Sequence, residues 1–269
     1  MSTASAPLEI GRVALTVNDI GRVGSFYKQA LGLTELSNDG ETLRLGAGNT
    51  PLLELRADKT ARRRSPKEAG LFHTAFLLPS RADLGAWLLH ASDSQLPLEG
   101  ASDHLVSEAI YLSDPEGNGI EVYIDRPRSA WKTQNGQIQM ATNGLDLNNL
   151  AAAAKAPFTE SPEGTVIGHV HLQTGSVPEA EAFYNGDLGF AITTHYPGAA
   201  FYGAGGYHHH IATNTWNSRG AGKRNFPSTG LADLEILADA EPLSALRAKL
   251  PAALADPWGT PITLSPKAV

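Results

Sequence analysis

Apolar residues recur along this chain in two rhythms. Val13, Leu15 and Val17 alternate with their neighbours, as do Val170 and Leu172, which predicts β-strands. After the first strand, Ile20, Val23, Phe26, Tyr27 and Ala30 fall at spacings of three and four, which predicts a helix over residues 19–30. Val177, Ala180, Phe183 and Tyr184 predict a second helix over 176–184 in the same way. Leu31-Gly32-Leu33 and Leu188-Gly189-Phe190 then place a helix-ending glycine after each. Short apolar runs divided by glycine turns complete each stretch. The unit reads β-α-β-β-β.

That unit repeats. Ile10-Gly11-Arg12-Val13-Ala14-Leu15 aligns with Ile167-Gly168-His169-Val170-His171-Leu172, and each is followed at the same distance by Phe-Tyr and then Leu-Gly. Two other segments align more loosely. Gly70-Leu71-Phe72-His73 matches Gly230-Leu231-Ala232-Asp233, and Asp114-Pro115-Glu116-Gly117 matches Asp256-Pro257-Trp258-Gly259. The chain divides into units A (about 9–57), B (69–125), A′ (166–216) and B′ (228–265). Residues 1–131 form an N-terminal half and 166–269 a C-terminal half, with a Pro-, Gly- and Asn-rich connector at 132–165 that carries a short helix near 146–155. A polar linker, 58–68, contains Arg62-Arg63-Arg64, read as a solvated face.

Composition narrows the chemistry. The 269 residues are 42% apolar and 18% charged, so a folded core is expected rather than disorder. No cysteine is present, which removes disulfides, thiolate metal sites and cysteine nucleophiles, so a metal would need His, Asp or Glu. The net charge of −7 argues against nucleic acid. No apolar run is long enough to span a membrane, and the start lacks a secretory pattern, so a cytoplasmic protein is expected. The turn Asp114–Gly119 lacks the spacing of a calcium loop, and Gly203-Ala204-Gly205-Gly206 lacks the Lys-Ser/Thr of a phosphate loop. His90 and His195 read as surface or turn residues.

Four such units with Phe-Tyr and Leu-Gly at this spacing resemble the vicinal oxygen chelate superfamily, which includes glyoxalase I, antibiotic-resistance binding proteins and type I extradiol dioxygenases. The resemblance is strongest to the catechol-2,3-dioxygenase branch. It implies an α+β fold in which the four tandem βαβββ units pair into two cup-shaped mixed sheets. It also implies a metal held by two histidines and one glutamate from a pair of units, a set that leaves coordination positions open. Unit B offers His73 and Glu121, and unit A′ offers His169, whereas unit A offers Arg12 and unit B′ offers Asp233 and Thr263. Only B with A′ supplies the full set, so those two are expected to share the active cup.

The resemblance extends to a proton-handling histidine, matched by His209 within Tyr207-His208-His209-His210, and to His104 and Tyr111 ahead of the glutamate. Strand alternation would put His208 and His210 on one face and His209 on the other. His171, His208, His210, Tyr207 and Trp216 are further candidates for substrate contact. The implied activity is extradiol ring cleavage of a catechol-type substrate with O2 in aromatic-compound catabolism, using Fe(II), with Mn(II) accepted by the same ligands. A homo-oligomer is compatible with the sequence but is not read from it. Two alternatives share the scaffold: a glyoxalase-like metal-dependent lyase or isomerase, and a non-catalytic, antibiotic-sequestering binding protein.

Overall fold

The computed structural model describes residues 2–267. Unit A runs through β1 (Leu8–Val17), α1 (Ile20–Leu31), β2 (Thr34–Asn38), β3 (Thr42–Ala47) and β4 (Thr50–Ala57). Unit B contains β5 (Gly70–Leu77), α2 (Arg81–Asp93), β6 (Gly100–Asp103), β7 (Ser107–Ser113) and β8 (Gly119–Asp125). The connector adds a small ribbon of β9 (Thr133–Gln134) and β10 (Gln137–Ile138), then β11 (Asn143–Gly144) and α3 (Leu147–Ala151). Unit A′ holds β12 (Val166–Gln173), α4 (Val177–Glu181), β13 (Ala191–Tyr196), β14 (Ala199–Gly203) and β15 (Ile211–Asn214). Unit B′ holds β16 (Gly230–Ala238), α5 (Ala240–Lys249), β17 (Leu254–Ala255) and β18 (Pro261–Pro266).

The helices form where the periodicity placed them. Asp19 caps α1 by accepting from the Arg22 amide, and Gly32 closes it in the left-handed region. Val23, Tyr27, Ala30 and Leu31 are its buried face. The second expected helix shortens to α4 and continues as a wide π-turn over Ala182–Asp187. The fourth unit also departs from expectation. It has three strands rather than four, and β17 is only two residues long.

Two mixed sheets result. One has nine strands in the order β11-β6-β7-β8-β5-β12-β15-β14-β13, and the other has seven in the order β17-β18-β16-β1-β4-β3-β2. Units B and A′ therefore share one sheet through antiparallel β5–β12, and A and B′ share the other through antiparallel β1–β16. Each sheet draws one unit from either half of the chain. Within each half of the chain, the tyrosine of the repeated Phe-Tyr pair stitches one sheet to the other. Tyr27 of unit A donates to Asp114 of unit B at 3.3 Å, and Tyr184 of A′ donates to Asp256 of B′ at 3.1 Å. All four side chains are buried. A buried acceptor left without such a donor costs about 1–3 kcal/mol.

Candidate metal centre

The central strands of the nine-stranded sheet bring three side chains together. In the β5–β12 pair, His169 lies opposite Ala75 and His171 opposite His73. Parallel β8 sets Glu121 beside Ala75. Side chains at alternate positions share a face, so His73, His169, His171 and Glu121 point into one cup. Gly168 permits this, because a Cβ there would lie 1.8 Å from the Tyr123 hydroxyl.

His73 Nε2 lies 2.9 Å and His169 Nε2 3.3 Å from the same oxygen, Glu121 Oε2. One donor atom from each of the three residues lies within 4.8 Å of the other two, and all three residues are buried. Burial opposes the charge of Glu121, yet the two imidazoles outweigh it and hold the carboxyl well below its usual range. Burial pushes His169 down, so that it stays neutral with a lone pair free. The buried His73 Nε2, although 2.9 Å from that oxygen, makes no well-aligned hydrogen bond. A buried carboxylate facing two imidazoles, with a buried ring nitrogen that makes no hydrogen bond, fits a divalent cation, which takes these donor types and supplies positive charge beside the carboxylate. The three expected ligands therefore fit a metal on geometry and on electrostatics.

The other expected residues separate into those on the cavity and those behind it. A cavity of about 820 Å³ opens over the three ligands, and His104, Tyr111, His171, His209 and Trp216 are on its wall. The His104 Nδ1–H donates to the Ala141 carbonyl at 2.6 Å, which leaves its Nε2 to accept from the Tyr111 hydroxyl at 2.7 Å. Burial and the nearby Glu121 push the Tyr111 phenol well above its usual value, so it remains protonated. His171 accepts from the Asn214 amide at 3.0 Å and meets the edges of Phe72 and Trp216. The ring of His209 packs on His169 with centroids 4.2 Å apart, and burial pushes its imidazole far below the usual range.

Three candidates for substrate contact lie elsewhere. Tyr207, His208 and His210 do not line the cavity. Tyr207 bonds the Tyr123 hydroxyl at 2.8 Å, His208 pairs with Asp125 at 2.7 Å, and His210 Nε2 donates to the Ala4 carbonyl at 2.8 Å. The expected alternation fails because residues 207–210 are not in a strand, which begins only at Ile211. Gly205 and Gly206, at φ 56° and 75°, turn the chain just before them. His209 alone of the three reaches the cavity, through this turn rather than through a pleat.

Sequence reasoning missed Asp125 and Thr3, whose roles depend on contacts distant along the chain. It also missed Glu54, which could have been found by aligning Leu52-Leu53-Glu54-Leu55 with Gly119-Ile120-Glu121-Val122. The register gives the same equivalence, since β4 places Glu54 beside Ala14 as β8 places Glu121 beside Ala75. By the same register Ala212 of unit A′, opposite His171, occupies the slot matching Glu121. That slot therefore carries no donor atom.

Comparison with known proteins follows the same lines. The family model of the Glyoxalase/Bleomycin resistance protein/Dioxygenase superfamily matches residues 9–122. A catechol-2,3-dioxygenase of Bacillus subtilis (strain 168) is 38% identical over 237 residues, which is 86% of this chain and 83% of that protein. A biphenyl-2,3-diol 1,2-dioxygenase 3 of Rhodococcus globerulus is 34% identical over 104 residues, covering 36% of this chain and 55% of that one. The crystal structure of glyoxalase I from Zea mays superposes with a TM-score of 0.55 at 15% identity, over 96% of this chain and 92% of that one, a likeness of fold.

Proposed function

The chain belongs to the Glyoxalase/Bleomycin resistance protein/Dioxygenase superfamily, and we propose that it is an extradiol dioxygenase that opens catechol-type rings with O2. The observation that carries this reading is the convergence of His73, Glu121 and His169 beneath a cavity that also presents His209, His104 and Tyr111. The 38% identity to a catechol-2,3-dioxygenase supports it.

His73, His169 and Glu121 would hold Fe(II), and the same donors accept Mn(II). A metal bound there would supply Lewis-acid and redox chemistry toward two vicinal substrate oxygens and O2. The chain's own residues do the rest. Phe72, His171, Phe201 and Trp216 form an aromatic wall against which a flat ring packs and from which water is displaced. Tyr111, kept protonated and held by His104, stands on one side of the ligands, where its hydroxyl oxygen is placed to accept from a substrate hydroxyl. His209, on the other side, takes a proton at Nε2 and returns it as the ring opens, a form of assistance worth about 10²–10⁴ in rate.

A glyoxalase-like reaction is less well supported. A four-ligand metal would use the slot that matches Glu121 in unit A′, and Ala212 stands there without a donor atom. A sequestering protein would have no use for three convergent ligands. The test is anaerobic loading with Fe(II), then addition of O2 and catechol, followed by absorbance of the yellow ring-opened semialdehyde. Loaded protein that binds iron but opens none of a panel of catechols would overturn the reading.

A further inference from the structure

His208, Asp125 and Thr3 lie behind the cavity and touch no substrate, yet they end on the one imidazole assigned to move protons. Asp125 closes β8, four residues beyond Glu121, and its carboxylate is fully engaged. One oxygen meets His208 Nε2 at 2.7 Å, and the other accepts from the Thr3 hydroxyl. The His208 and Asp125 side chains are 0% and 1% exposed. His208 Nδ1 in turn meets His209 Nδ1 at 2.7 Å. His209 Nε2 has no hydrogen-bond partner among the described residues, and His209 alone of the three histidines lines the cavity.

Donor and acceptor arithmetic gives this chain a direction. A carboxylate only accepts, so His208 Nε2 carries the hydrogen. In neutral His208 the Nδ1 is then a lone pair, and the hydrogen between the two Nδ1 atoms belongs to His209. The direction therefore follows from the hydrogen-bond geometry: Asp125 fixes the hydrogen on His208 Nε2, and the 2.7 Å contact between the two Nδ1 atoms needs one hydrogen between them. We propose that Thr3, Asp125 and His208 are positioning residues that hold His209 in its Nδ1–H tautomer, leaving bare Nε2 aimed into the cavity as a proton acceptor for the incoming hydroxyl. The inference rests on the reading of His209 as the acid–base group. In the step it prepares, a substrate O–H breaks, an Nε2–H forms, and the resulting positive charge is shared along the chain to Asp125.

The N-terminal segment fixes the far end. Arg128 donates to the Thr3 carbonyl from Nε at 3.0 Å and from Nη2 at 2.6 Å, and to the Ser5 carbonyl at 3.1 Å. His210 holds the Ala4 carbonyl, and Ala4 is buried among Ala75, Ala109, Tyr123 and Tyr207. The three successive histidines therefore have three duties: a link, a proton acceptor and an anchor.

The direct measurement is two-bond ¹H–¹⁵N correlation on metal-free protein labelled at histidine. His209 is expected to be protonated at Nδ1 and bare at Nε2, with His208 the reverse. Protonation of His209 at Nε2, or of His208 at both nitrogens, overturns the proposal. Asp125→Asn is the second arm, because a side-chain amide can donate to His208 Nε2 and reverse the chain. Its metal-free spectra should show His209 switched to the Nε2–H form. The iron-loaded variant should keep its metal and its KM, with kcat lowered by about 10²–10⁴. Unchanged spectra or unchanged kcat overturn the proposal. Thr3→Val should lower kcat and Thr3→Ser restore it, whereas equal rates in the two count against the role of the hydroxyl. The tautomers are read without metal and ring cleavage with it, so failure of this proposal and failure of the dioxygenase reading are separate results.

Discussion

The nine-stranded and seven-stranded sheets set equivalent backbone positions around their cups and fill them with opposite electrostatics. In the nine-stranded sheet the first-strand slots hold His73 and His169, and the last-strand slots hold Glu121 and Ala212. In the seven-stranded sheet the corresponding residues are Asp233, Arg12, Thr263 and Glu54. There Arg12 lies 3.2 Å from Asp233 and 3.6 Å from Glu54, and Arg44 and Arg56 reach Glu54 at 2.9 and 2.8 Å. Thr263 donates to Asp233 at 2.9 Å. A guanidinium thus stands among carboxylates where the other cup gathers ligands for a metal. The first cup leaves a negative charge to be neutralised from outside, and the second neutralises itself. The scaffold alone does not make a metal site; the site depends on whether the cup's own residues complete its charge.

The strongest way to break the comparison is to remove the glutamate from each cup. Glu121→Ala should abolish iron retention and ring cleavage, whereas Glu54→Ala should leave both near wild type. Metal analysis and the semialdehyde absorbance measure this, and iron loss on both substitutions would mean that the cups are not independent. The next effect is on stability. Glu54→Gln uncouples a carboxylate that is 3% exposed from arginines that are 54% and 41% exposed. The expected loss is about 2 kcal/mol, below the ~3–5 kcal/mol of a fully buried pair.

This loss carries a pH signature. Burial opposes the Glu54 charge, but Arg44, Arg56 and Arg12 together hold its carboxyl below the usual range. A lowered acid contributes stability that is present above its unfolded pKa, about 4.3, and fades as the pH falls through the folded value. The gap between wild type and Glu54→Gln in urea denaturation should be full at neutral pH and narrow in acid. A gap that widens in acid would reverse the assignment. The smallest effect sharpens the comparison by construction. Arg12→His combined with Asp233→His restores two imidazoles beside Glu54, and the double variant should take up a second equivalent of Co(II). Binding should be weak, because Arg44 and Arg56 still hold the carboxylate, and equilibrium dialysis reads it. No uptake at millimolar Co(II) would show that more than slot identity separates the cups.

Much of this contrast was legible in the chain. Local periodicity marked α1, and the repeat of Ile10–Leu15 at Ile167–Leu172 exposed the duplication because both strands answer to the same packing. The proposed ligands could be named because the expected slots could be tested unit by unit, and only B with A′ gave two histidines and a glutamate, which the structure brings together. What escaped depends on distance or on backbone turns. The bond between Thr3 and Asp125 joins residues 122 apart, and no local pattern encodes it. Strand periodicity misled at 207–210 because Gly205 and Gly206 interrupt it. The missing strand of unit B′ left no polar or apolar signal of its absence.

The pairing order also sets a timetable. Strands β5 and β12, which carry the two proposed histidine ligands, come from the middle of the chain, while β1 joins β16 from near its two ends. Closing the longer loop costs more conformational entropy. On a ribosome, residues 70–214 emerge and can assemble the ligand-bearing sheet while β16 is still unmade. The seven-stranded sheet is then expected to act as a clasp that shuts last and draws the Tyr27 and Tyr184 stitches tight around a finished interior. Pulse-labelled hydrogen exchange during refolding should protect Ala75 and Val170 amides before those of Val13 and Leu234. Simultaneous protection would mean that clasp and interior close as one.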